Sequence, residues 1–150
     1  MSSKYVDGAW RFTRVFTSGG DHNVMPDLHI AGDRSYVAWV RDGFVRVAGN
    51  RGGGFVTHRF NTRGSFPRVA TSTTDGRVDH VFVAWTTAGA GEGRDRGYFA
   101  SSLTRGAVDG GWSGAVVSPR GSAVIGVAGH GTKGTAIYAS STRVASRTQD

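Results

Sequence analysis

Apolar residues fall along this chain in short runs, broken at regular intervals by stretches rich in glycine, serine and arginine. Tyr36-Val37-Ala38-Trp39-Val40 and Phe82-Val83-Ala84-Trp85-Thr86 are near copies of one another. Runs this short and this apolar predict buried strands, because a helix of that length would be marginal. Three further segments align: Gly8 to Thr17, Gly53 to Thr62 and Gly110 to Pro119. Each carries two small residues, an aromatic (Trp10, Phe55, Trp112) and an apolar residue five places on. Each reads as a strand entered from a tight turn.

Between these landmarks the pattern repeats. A first strand opens near a proline, at Pro26 to Ala31 and Pro67 to Thr71, where a missing amide donor costs least. Ser122 to Ala128 lacks the proline and keeps the apolar run. The aromatic-Val-Ala-Trp segments follow Gly32-Asp33 and Asp75-Gly76 as second strands. Gly43 to Val47 and Gly97 to Ser101 supply the third.

The unit is four short antiparallel strands, and Trp39 and Trp85 lie 46 positions apart. Repetition on that scale predicts an all-β, propeller-like array of four-stranded blades, about three of them, in an incomplete ring. The expected parts are an outer strand at 9–17, blades at 26–62 and 67–118, and a partial blade at 123–145. Thr135 to Ser140 fits that partial blade as its second or its third strand, and the polar segment from Arg143 is expected to fray. The Trp10 strand has the pattern of the piece the partial blade lacks.

Ala48-Gly49-Asn50-Arg51-Gly52-Gly53-Gly54-Phe55 lies on the turn between third and fourth strands. It resembles the Asp-box of sialidase-like β-propellers, Ser-x-Asp-x-Gly-x-x-Trp/Phe. Ala48 stands at the Ser place, Asn50 at the Asp place, Gly52 at the Gly place and Phe55 at the aromatic place. Ser102 to Gly106 is a more decayed copy, separated from Trp112 by an insertion. The resemblance implies a structural turn on the face opposite any ligand, and it carries no catalytic residue to this chain. Ser65-Phe66-Pro67-Arg68-Val69 has residues related to the Phe/Tyr-Arg-Ile-Pro strand of such enzymes, in the wrong order.

Composition agrees with strands. Among 150 residues are 24 glycines, two lysines and a single glutamate, so strong helix formers are scarce. There is no cysteine, hence no disulfide framework and no thiolate ligand. No signal peptide or membrane span is visible, so the default expectation is a soluble, cytoplasmic chain. The formal charge of +7 comes largely from sixteen arginines spread from Arg11 to Arg147. A nucleic-acid surface calls for a basic stripe with interleaved aromatics, and the scatter argues against one.

The expected ligand face carries the loops between second and third strands and those between blades. It includes Asp21-His22-Asn23, Arg41, Asp42, Arg63, Glu92, Arg94, Asp95, Arg96 and Arg120. Arginine forks there suit carboxylate or sulfate groups, set against the plainer reading of a solvated loop pairing with itself. Glu92 is flanked by glycines, a poor setting for a catalyst. The histidines lack metal-ligand spacing, the glycine runs lack a phosphate-loop lysine, and no cofactor is expected.

The function expected is therefore a non-catalytic segment binding glycan or protein ligands through its inter-blade loop face, a glycan or other acidic ligand being the possible partner. The alternatives are part of an exo-sialidase-type hydrolase whose other catalytic residues lie outside this chain, and a structural remnant without a ligand. Three blades cannot close a ring, so a homo-oligomer or a longer propeller is expected.

Overall fold

The computed structural model describes residues 2–6, 9–13, 23–50, 54–87 and 94–149, with backbone pairing alone for 2–6 and 9–13. The chain is all-β, and no helix occurs among the described residues. A hairpin pairs β1 (Ser2–Val6) with β2 (Ala9–Thr13), Tyr5 opposite Trp10. The first sheet holds β3 (Asn23–Ala31), β4 (Arg34–Arg41), β5 (Phe44–Asn50) and β6 (Phe55–Arg63) in chain order. The second holds β7 (Ser65–Thr74), β8 (Arg77–Thr87), β9 (Arg96–Ser102) and β10 (Trp112–Val116), again in order. The third is three-stranded: β11 (Ser122–His130), β12 (Lys133–Ser140) and β13 (Val144–Gln149). Every pairing is antiparallel.

The expected four-stranded repeat thus appears twice in full. Thr135 to Ser140 lies in the second strand of the third sheet, and the segment after Arg143, expected to fray, is that sheet's third strand. Its polar sequence reflects an edge position with mostly exposed side chains. The Trp10 strand pairs with Ser2–Val6, which the sequence pattern does not flag, and the third sheet has no fourth strand among the described residues. Residues 14–17 of the expected outer strand lie outside the described residues, and the three sheets close no ring.

Alternation along the strands distributes side chains between neighbouring sheets. On β8, Val81, Val83 and Trp85 face the first sheet and join a core with Tyr36, Ala38, Val40, Val45, Val47 and Phe60. Phe82 and Ala84 point the other way, to Val124 and Ala136 of the third sheet. Trp85 is fully buried, its ring 4.7 Å from Phe60 and 4.6 Å from Tyr98. Trp39, 2% exposed, packs with Val37 and Ala48 on the first sheet's far face. Both tryptophans are core, as their place in apolar runs predicts.

Hydroxyls fasten the sheets at buried backbone groups. The Val124 amide of β11 donates to Thr86 Oγ1 at 2.9 Å, and the Val81 amide donates to Ser102 Oγ at 2.9 Å. Tyr36 donates to the Gly106 carbonyl at 3.1 Å, tying the first sheet to the loop after β9. Tight hairpins follow turn chemistry. Asp42-Gly43 and Asp75-Gly76 take positive φ at both central positions, the type I′ pattern that matches strand twist.

Gly64 joins the first sheet to the second in a single residue, its amide bonded to the Gly43 carbonyl at 3.0 Å. A Cβ there would lie 2.7 Å from the Thr86 carbonyl oxygen and 2.9 Å from Trp85 Nε1. Gly64→Ala is therefore expected to lower stability by about 2 kcal/mol in urea unfolding, the scale of core overpacking. Gly54→Ala, where a Cβ meets nothing within 4 Å, should stay within about 0.5 kcal/mol of the parent.

Candidate functional site

Because the sides on which the sheets meet are occupied by packing, the polar and charged groups gather at the strand ends. One end carries the β4–β5 turn, the β6–β7 link, the start of β9, the β10–β11 connection and the β12–β13 turn. These segments bring six arginines, Arg41, Arg63, Arg94, Arg96, Arg120 and Arg143, against two aspartates, Asp42 and Asp95. This is the end on which the sequence places its candidate ligand residues.

They fall into two groups. At the tip of the first sheet, Phe44 pairs in register with Arg41 on one side and Arg63 on the other. Arg41 Nε lies 3.6 Å from Asp42 Oδ2, the two side chains 23% and 52% exposed. A pair so hydrated contributes little. The guanidinium carbons of Arg59 and Arg63 stand 4.0 and 5.0 Å from the Phe44 ring centroid, cation–π contacts that fix their orientation.

The second group forms at the junction of the second and third sheets. The Asp95 carbonyl accepts the Gly121 amide at 2.8 Å and the Ser122 amide at 3.3 Å, drawing the start of β9 against the β10–β11 connection. Beside this clamp lies a recess of about 380 Å³ lined by Arg120, Ser122, Ser140, Thr142 and Arg143 among others. The Ser140 amide bonds the Arg143 carbonyl at 2.9 Å, shaping its far wall. Arg94, Asp95 and Arg120 are exposed and Arg96 is half-buried.

Glu92 and Gly52 lie outside the described residues, as do Asp21 and His22. Of the Asp-box-like turn, Ala48 and Asn50 end β5 and Phe55 begins β6, at the opposite end of the sheets. Ala48 is fully buried, and Phe55 packs against the cluster of Val37, Trp39 and Ala48.

Two features escaped the sequence pattern. Between β6 and β10 runs a groove of about 260 Å³ bordered by His58, Phe60, Tyr98 and Trp112. Trp112 donates its indole N–H to the Val108 carbonyl at 2.8 Å, and its ring centroid lies 4.9 Å from Phe60 and 5.6 Å from His58. The other is a recess of about 570 Å³ on the Asp-box end, lined by Asp33, Arg34, Arg77 and Arg105 among others. Asp79 beside it accepts from Arg105 Nε. A Thr74 hydrogen bond and the Arg105 contact hold its carboxyl below the ordinary value. Among the described residues no group of three His, Cys, Asp or Glu is placed to hold a metal.

Comparison with protein-family models, with curated proteins and with solved structures yields no match for this chain. What the site does must be argued from its own geometry.

Burial depresses the His58 pKa from its ordinary 6.5. The unfolded chain therefore binds the proton more readily, and stability present above about pH 6.5 is lost as pH falls through the lower folded value. Thermal melts from pH 8 to pH 5 should show a decline beginning near pH 6.5, and His58→Phe should flatten it. A variant as acid-sensitive as the parent would assign the loss to another group.

Proposed function

We propose that the chain is a β-propeller segment of the sialidase-like kind, its sheets serving as blades, that binds acidic ligands without catalysis at its arginine-bearing strand ends. A glycan carboxylate or sulfate, or an acidic protein surface, has the matching chemistry. The observation that carries this reading is the Asp95 clamp on Gly121 and Ser122, which sets Arg120 at a recess it shares with Arg143, while Arg94 and Arg96 flank Asp95 in sequence. Support for blades comes from two in-order four-stranded sheets whose first strands, β3 and β7, are bridged directly. The Val69 amide donates to Asp27 Oδ2 at 2.8 Å, and Arg68 stands 3.9 Å from Asp27 Oδ1.

An array of sialylated and sulfated glycans should show binding that Arg120→Gln and Arg143→Gln each weaken about fivefold or more, with Asn50→Ala neutral. Absence of binding across the array and to acidic peptides would leave a structural remnant. Turnover of a fluorogenic sialoside, abolished by Glu92→Gln, would instead assign the chain to a hydrolase.

The proposal also requires more sheets than one chain supplies. Leu28 and Ile30 on β3 are 52% and 62% exposed, and Ile125 and Val144 on the third sheet 47% and 67%. Apolar surface at both limits of the stack favours association. Light scattering should give a mass of at least two chains, and a well-folded monomer at high dilution would contradict this.

A further inference from the structure

At the strand ends opposite the proposed ligand face, three guanidiniums reach one recess from three separate segments. Arg34 follows the β3–β4 turn, Arg77 follows the β7–β8 turn, and Arg105 lies in the loop after β9. We propose that this recess is an oxyanion site for a small phosphorylated or sulfated molecule, distinct from the face bearing Arg120.

Two of the three cations are held in place. Arg34 is half-buried against Gly106, where a Cβ would lie 2.5 Å from its Nη1 atom. Gly106 is itself fixed, its amide donating to the Asp79 carbonyl at 2.9 Å and its carbonyl accepting from Tyr36. Its φ of +61° suits glycine. Arg105 is anchored through Nε to the Asp79 carboxylate, so its terminal amino groups stay available.

Arg34 and Arg77 have no carboxylate partner among the described residues, so an anion entering the recess displaces no described ion pair from either. Asp33 also borders the recess and offers an acceptor for a ligand hydroxyl, one carboxylate against the three guanidiniums in the lining. Donors converging from three directions suit a tetrahedral oxyanion better than a planar carboxylate, which one guanidinium fork satisfies. A volume of about 570 Å³ fits a small molecule rather than a polymer groove.

The test titrates the full chain with inorganic phosphate, sulfate and acetate at ionic strength matched with sodium chloride, followed by amide NMR. Phosphate or sulfate should bind saturably, shifting amides around Arg34, Arg77 and Gly106, with acetate at least tenfold weaker. Arg34→Gln should weaken binding about tenfold and Arg77→Gln about threefold, while Arg120→Gln leaves it unchanged. Should Arg34→Gln fail to fold, Arg77→Gln decides, since its side chain is exposed and has no ion-pair partner among the described residues. No saturable binding beyond chloride, equal binding of acetate, or affinity indifferent to Arg77→Gln would each overturn the proposal. None of these outcomes bears on the Arg120 face, whose own variants report separately.

Discussion

Strand β8 has no solvent side, and the rest of the molecule is arranged around that constraint. From Val81 to Thr86 every side chain is buried, odd positions against the first sheet and even positions toward the third. A strand apolar on both faces cannot stop at one partner layer, because burying a large apolar side chain is worth roughly 1.5–3 kcal/mol. Both neighbouring sheets are therefore needed to satisfy the second. Close approach on the third sheet is permitted by Gly129 and Gly134, where a Cβ would run into the Phe82 ring. The buried hydroxyls of Thr86 and Ser102 accept from backbone amides, whereas Trp85 Nε1 and Thr71 Oγ1 are buried with no hydrogen-bond partner among the described residues.

Packing of this kind consumes the sheet faces and leaves recognition to the strand ends. The two ends are not alike. One has the inter-sheet connections and six arginines, Arg41 and Arg63 at the tip of the first sheet and the other four near the junction of the second and third. The other has the first hairpin turns, with Arg34 and Arg77 placed by type and position immediately after them. Lys133 opens β12 at the corresponding place in the third sheet. A basic residue thus follows the first turn of each of the three larger sheets, and Arg105 reaches the same region through its anchor on Asp79. Charge at both ends is held by local geometry: a carbonyl clamp at one, a glycine contact and an ion pair at the other.

The repeat was legible because β4 and β8 carry nearly the same buried pentapeptide, and because Asp-Gly and Gly-Asp turns announce hairpins. Strands exposed on their faces gave no such signal. Val144–Gln149 forms the edge of a three-stranded sheet with mostly exposed side chains, so its sequence shows no alternation. Ser2–Val6 is likewise mostly polar, and only its pairing with Ala9–Thr13 makes it a strand. The arginine groups were half legible. Arg94, Asp95, Arg96 and Arg120 stood out as loop residues, whereas Arg34, Arg77 and Arg105 are far apart in sequence and meet only through sheet stacking. The shared position of Arg34 and Arg77 after first hairpin turns was the signal present in the chain, and Arg105, in the loop after β9, had none.

The repeat also has a direction, which limits how it can be extended. Tyr36 and Phe82 occupy the same place in successive repeats, and each faces the next sheet; Trp39 and Trp85 correspond, and each faces backward. The forward face of one sheet therefore meets the backward face of the next, a heterologous contact rather than a self-complementary one. Two third sheets placed face to face would bring together two forward faces and satisfy neither. In the proposed propeller, whatever covers Ile125 and Val144 must present a backward face of the kind Trp85 builds. Such a contact can repeat from sheet to sheet, and the rotation between neighbouring sheets decides whether the repeat closes into the proposed ring or runs on as an open stack.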